Sequence, residues 1–122
     1  MRPVLAAVAL LTMAASVPAA ERLYPLVSDW AQYFRVESQT TMRDGKAVVT
    51  GTVWNTGKWG ATRIQLLMEG VDAGGTPVTQ RVVWLGIDLP PGTHGVFEVP
   101  MAAASSYRVS VFAYDSRRGR WG

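Results

Sequence analysis

The fold is most legible in Val49-Thr50-Gly51-Thr52-Val53-Trp54-Asn55-Thr56-Gly57. Val49 and Val53 alternate with Thr50, Thr52 and Trp54, the period of a strand with one buried face. Trp54 therefore points away from the side that Val49 and Val53 occupy. Gly51 within the strand leaves room for a large neighbour such as a tryptophan, or permits a bulge. Asn55 and Gly57 close the run with residue types that suit positive φ. Turn signals recur on both sides: Asp44-Gly45 before it, then Gly60, Gly74-Gly75, Pro90-Pro91-Gly92 and the small residues from Ala102 to Ser106.

The runs between these turns predict strands over 33–41, 46–55, 61–72, 77–89, 96–101 and 107–115. Tyr107, Val109, Val111 and Ala113 share one expected face, with Arg108 and Ser110 on the other. In 61–72, Ile64, Leu67, Met68 and Val71 fit a helical stripe, whereas Ile64, Leu66 and Met68 fit a strand. The flanking glycines and the position between strands favour the strand. Gly86 interrupts 77–89 and marks a bulge or a change of sheet. Leu89 packs inward just before Pro90-Pro91-Gly92 ends the strand. Residues 21–32 form a less regular lead-in segment, with Tyr24-Pro25 extended and Ser28-Asp29 suited to cap a short helical turn. An edge strand from that segment would bring the total to about seven. An antiparallel β-sandwich follows, occupying 33–115.

The 122 residues include no cysteine, and the formal charge is +3. A large multidomain enzyme, a disulfide-stapled miniprotein and a thiolate metal site are excluded. Residues 1–20 read as a secretory signal peptide: Arg2 precedes an apolar run from Val4 to Val17, and Val17-Pro18-Ala19-Ala20 offers cleavage near Ala19 or Ala20. That run is short of the ~20 residues of a membrane span. Export to a bacterial periplasm or medium is expected, with no transmembrane span after cleavage. Without the leader arginine the charge is +2, and Arg117, Arg118 and Arg120 concentrate it in a basic tail over 116–122. An exported domain without cysteines relies on its core for stability.

The motif pattern resembles that of FxLYD-type domains and related small immunoglobulin-like or fibronectin-like sandwiches of bacterial exported proteins. The residues that carry it are Val49-x-Gly51-x-Val53-x-Asn55-x-Gly57, Ile64-x-Leu66-x-Met68 and Asp72-Ala73-Gly74-Gly75. Leu89-Pro90-Pro91-Gly92, Phe97-x-Val99 and Tyr107-x-Val109-x-Val111 complete it. The chain departs from the family at Gly70-Val71, where an aromatic commonly precedes the aspartate, and in lacking the F-x-L-Y-D string. The resemblance implies an immunoglobulin-like sandwich whose motifs mark turns and inward positions.

Catalytic signals are sparse, so the chain is expected not to be an enzyme. His94 lies in the turn Gly92-Thr93-His94-Gly95, and Ser105-Ser106 sits in another loop without a nucleophile elbow. The carboxylates Asp29, Asp44, Asp72, Asp88 and Asp115 are dispersed at turns and strand ends, without a paired spacing. One histidine and no cysteine do not make a zinc site, and 72–75 is too short for a calcium loop. Gly57-Lys58-Trp59-Gly60 lacks the following helix of a phosphate loop. No cofactor is expected.

Surface chemistry is what remains. Trp54, Leu67, Phe112 and Tyr114 oppose inward-facing neighbours, and Trp59 lies in a loop; together they could form an exposed interaction surface. The competing reading has residues 23–34 cover them with Tyr24 and Trp30, and the small size of the domain favours this cover. Arg117, Arg118, Arg120 and Trp121 are candidate tail contacts for anionic lipid, lipopolysaccharide or an acidic partner, against a merely solvated tail. Export argues against nucleic acid. The expected function is an accessory or protein-interaction module that binds another exported or envelope protein. The alternative is a glycan-binding module that stacks Trp54, Trp59 and Trp84 on sugar rings.

Overall fold

The computed structural model describes residues 16–117. The chain is all-β. Its strands are β1 (Phe34–Arg43), β2 (Lys46–Asn55), β3 (Ala61–Val71), β4 (Pro77–Trp84), β5 (His94–Met101) and β6 (Ser106–Ser116). They pair antiparallel into a front sheet, β1-β2-β5, and a back sheet, β4-β3-β6. Val49, Val53, Phe97 and Val99 from the front meet Ile64, Leu66, Met68 and Val111 from the back in one core. The expected sandwich is thus present, with six described strands in place of about seven. The lead-in segment forms short 3-10 turns at Ala19–Glu21 and Trp30–Gln32 instead of an edge strand. Asp29 flanks the second turn as expected, but through its backbone: its carbonyl accepts from Gln32 N–H at 3.0 Å and its side chain makes no cap bond.

Local chemistry sets the connections. Asp44 and Gly45 both have positive φ, at 54° and 79°, and close β1 onto β2 as a two-residue hairpin between Arg43 and Lys46. Asp72 Oδ1 accepts from the N–H groups of Gly74 and Thr76 in the β3–β4 turn. The expected long strand over 77–89 is divided. β4 ends at Trp84, Gly86 turns the chain at φ 90°, and Leu89 returns to form a bridge with Ala61. A left-handed glycine breaks the extended ladder there, and Leu89 still packs inward.

Two bulges change which residues face the core. Opposite β6, β3 contains an additional residue between Thr62 and Gln65, where Arg63 is left-handed at φ 50°. Ala61 and Ile64 consequently both face inward, which uninterrupted alternation forbids. On β6, two steps from Val111 to Ala113 match one step from Leu66 to Gln65, so Phe112 is the additional residue. Beyond it the alternation reverses. Ala113 leaves the face of Val111, and Tyr114, expected to point out, packs against the core edge-on to Phe34 at 4.8 Å.

Gly51 makes room for Phe97 rather than for a tryptophan: a Cβ there would lie 2.5 Å from Phe97 Cζ. Asn55 and Gly57 do not take positive φ. The asparagine is selected by its side-chain hydrogen bonds, described below.

The lead-in segment lies over the outer face of the back sheet. Leu26 N–H donates to Phe112 O at 2.8 Å, and Val17 N–H to Pro77 O at 2.8 Å. Gln80 holds Leu23 from both sides, accepting from its N–H through Oε1 and donating to its carbonyl through Nε2. Gln80 Nε2 also donates to Glu69, a carboxylate only 6% exposed that pairs with Arg108 Nε at 2.9 Å. Glu69 is thus a buried charge with its lone pairs engaged, the condition under which burial is tolerated. This hydrogen bond to Glu69 raises the Arg108 pKa above its ordinary value, partly opposed by desolvation. Among the described residues no helix is long and apolar enough to cross a membrane.

Candidate functional site

At the end of the sandwich where β2 leaves the front sheet, the loop 56–60 stands away from the core. Asn55, 2% exposed, is the reason it has a fixed shape. Its Nδ2 donates to the carbonyls of Trp59 and Leu89, each at 2.8 Å, and its Oδ1 accepts from Gly57 N–H at 2.9 Å. Its backbone pairs with Thr93 O and Gly92 N–H. One side chain therefore joins the loop of Trp59 to the Leu89-Pro90-Pro91-Gly92 turn. Thr56 N–H donating to Tyr33 O, and Arg117 N–H donating to Gly60 O, fasten that loop to the lead-in segment and to the end of β6, each at 2.8 Å.

The result is a cleft of ≈ 720 Å³ with walls from Asp29, Tyr33, Lys58, Trp59, Tyr114 and Ser116. Lys58 Nζ lies 5.6 Å from the Trp59 ring centroid, within cation–π range. Trp59 also borders a second depression of ≈ 430 Å³, shared with Asp88, Pro90, Pro91 and Arg117. The indole is a half-buried partition between an aromatic recess and a proline-floored one.

The Tyr114 phenol is held above the ordinary tyrosine range, first by burial and then by the negative charge of Asp29, with a smaller contribution from Tyr33. Because the folded pKa exceeds the unfolded one, this stabilisation is complete below about pH 10, the unfolded value. It is lost as pH rises through the folded value. An absorbance titration of tyrosinate is expected to contain a step above the ordinary range that Tyr114→Phe removes. A variant titration superimposable on that of the wild type would contradict this environment.

The five surface residues expected to act together are dispersed. Trp59 and Tyr114 meet in the cleft. Leu67 is 1% exposed and so is no part of a surface, and Phe112 is half-buried, its carbonyl accepting from Leu26 N–H of the lead-in segment. Trp54 is half-buried on the outer face of the front sheet, with the Arg35 guanidinium 3.9 Å from its ring centroid and His94 6.1 Å from it on the other side. Period-two alternation places Trp54 correctly. It cannot show that Trp54 and Leu67 belong to different sheets. Trp84 lies on the outer face of the back sheet, so Trp54, Trp59 and Trp84 do not form one stacking platform. His94 and Ser105-Ser106 lie at opposite ends of β5. Of the tail contacts, Arg117 borders the second depression, while Arg118, Arg120 and Trp121 lie outside the described residues.

Asp29 and Tyr33 also line the cleft; Asp29 lies in the lead-in segment, where the absence of a period defines no face, and Tyr33 lies just ahead of β1. No family model, curated protein or solved structure matches the chain.

Proposed function

We propose that the chain is an exported, non-catalytic immunoglobulin-like sandwich of the FxLYD kind whose Trp59 cleft docks another exported or envelope protein. The observation that carries this reading is the cleft itself. Trp59, Tyr33 and Tyr114 surround a recess whose loop is held by Asn55, with Lys58 and Asp29 at its wall. Aromatic side chains in a preformed recess supply contact area at small ordering cost, the character of an interface anchor. The signal-peptide pattern supports export. A cut at Ala19 or Ala20 would leave both the Leu23–Gln80 and Leu26–Phe112 ties in the mature protein.

The test is affinity capture from an exported-protein fraction, comparing the wild type with Trp59→Ala and with Trp54→Ala as a control on another face. Trp59→Ala is expected to weaken retention of the partner about ten-fold or more, the loss typical of an anchor residue. Trp54→Ala is expected to retain it. Equal retention by Trp59→Ala would remove the cleft as the docking site. Binding of a glycan that Trp59→Ala abolishes, with no captured protein, would replace a protein partner with a sugar stacked on that single indole. Sequencing the N-terminus of the exported protein tests the leader, with Ala20 or Glu21 as the expected first residue.

A further inference from the structure

Four strands form sheet edges, and three of them are blocked. β5 contains Pro100, whose carbonyl accepts from Arg81 Nη1 at 2.9 Å. β4 begins at Pro77, and its Gln80 side chain holds Leu23 of the lead-in segment across it. β6 is bulged at Phe112, and Leu26 takes that carbonyl. Prolines, bulges and covering segments are the usual protections of a sheet edge. β1 has none of them: it is ten residues long, holds continuous register with β2, and contains no proline. Among the described residues it has a neighbour on one side only.

The free edge has a defined phase. Asn55 exchanges backbone hydrogen bonds with Thr93 and Gly92, so the odd positions of β2 point toward β5 and its even positions toward β1. The even positions of β2 stand opposite Arg35, Glu37, Gln39, Thr41 and Arg43. The N–H and C=O groups of Val36, Ser38, Thr40 and Met42 therefore point away from the sheet.

We propose that β1 pairs with β1 of a second copy, antiparallel about a two-fold axis at Thr40, to make one six-stranded front sheet across a dimer. Charge selects this register. With Thr40 opposite its own copy, Glu37 of each molecule stands opposite Arg43 of the other, and Gln39 opposite Thr41. Shifting the axis to Gln39 would instead oppose Arg35 to Arg43, two cations. The present partners, Arg35 for Glu37 and Glu98 for Arg43, are exposed pairs whose exchange costs little. This pairing uses neither the Trp59 cleft nor its partner, so the two proposals stand or fall separately.

Sedimentation velocity over a concentration series is the test, with circular dichroism to confirm that each variant is folded. The wild type is expected to dimerise. Thr40→Pro removes a donor from the free edge but none from the β1–β2 ladder, so it is expected to give a folded monomer. Glu37→Arg or Arg43→Glu alone is expected to weaken the dimer about ten-fold, because like charges then face each other twice. The double swap is expected to restore it. A wild type that is monomeric throughout overturns the pairing, including one that accepts a foreign extended peptide at this edge. So does a dimer indifferent to Thr40→Pro, or a double swap no tighter than either single variant.

Discussion

Replacing Asn55 with alanine is expected to lower the unfolding free energy by about 3 kcal/mol, since each buried polar group left unpaired costs about 1–3 kcal/mol. The side chain is fully buried and makes three hydrogen bonds, to the Trp59 and Leu89 carbonyls and from Gly57 N–H. Alanine leaves these groups without that partner and opens a void between two loops. For a domain of this size the melting temperature is expected to fall by roughly 12–24 °C. Asn55→Asp is the sharper test. It keeps the volume and the Gly57 bond but turns a carboxylate oxygen toward two carbonyl oxygens, a repulsion relieved when the acid is protonated. Its deficit is therefore expected to shrink at low pH, whereas that of Asn55→Ala is not. Chemical denaturation at two pH values measures both, and an Asn55→Ala loss below about 1 kcal/mol, the net value of a single ordinary hydrogen bond, would refute the role assigned to this residue.

Gly51→Ala is expected to destabilise by a similar amount, about 2–4 kcal/mol, for a steric reason. The added Cβ would meet the Glu37 carbonyl of β1 and the Phe97 ring of β5 at once, with Phe97 Cε2 at 2.9 Å. The ring has freedom to move, whereas the carbonyl is fixed in the β1–β2 ladder, where Glu37 stands opposite Thr52 and Ser38 opposite Gly51. Combining Gly51→Ala with Phe97→Leu is accordingly expected to recover only part of the loss, because the backbone contact survives the smaller side chain. Full recovery in thermal melts would show that Phe97 alone requires the glycine. A tolerated Gly51→Ala would show that the strands separate more readily than this packing implies.

Strand identity was legible where composition and period agreed. The pattern bounds β2 at Lys46 and Asn55 as observed, and Asp44-Gly45 is a hairpin on its own chemistry. The strand reading of Ala61 to Val71 held over the helical one because Ile64, Leu66 and Met68 all enter the core. Tyr114 faces inward rather than outward because a bulge at Phe112 adds one residue to β6, and nothing in Val-Phe-Ala-Tyr announces it. Nothing local in the sequence marks Glu69 for burial. It is buried because Gln80 and Arg108 converge on it from neighbouring strands while Leu23 lies above. Asn55 has a residue type that suits positive φ, yet its work is done by side-chain bonds to partners up to 34 positions away.

Alternation and turn chemistry act over a few residues, and they suffice to specify the strands and most of their inward faces. The cleft, the buried Glu69 cluster and the exposed edge of β1 arise only once the strands have assembled. Each depends on which strands become neighbours and on where the lead-in segment comes to rest. Period-two alternation assigns a side chain to a face, but the assembly of two sheets and the segment laid across one of them decides whether that face meets water.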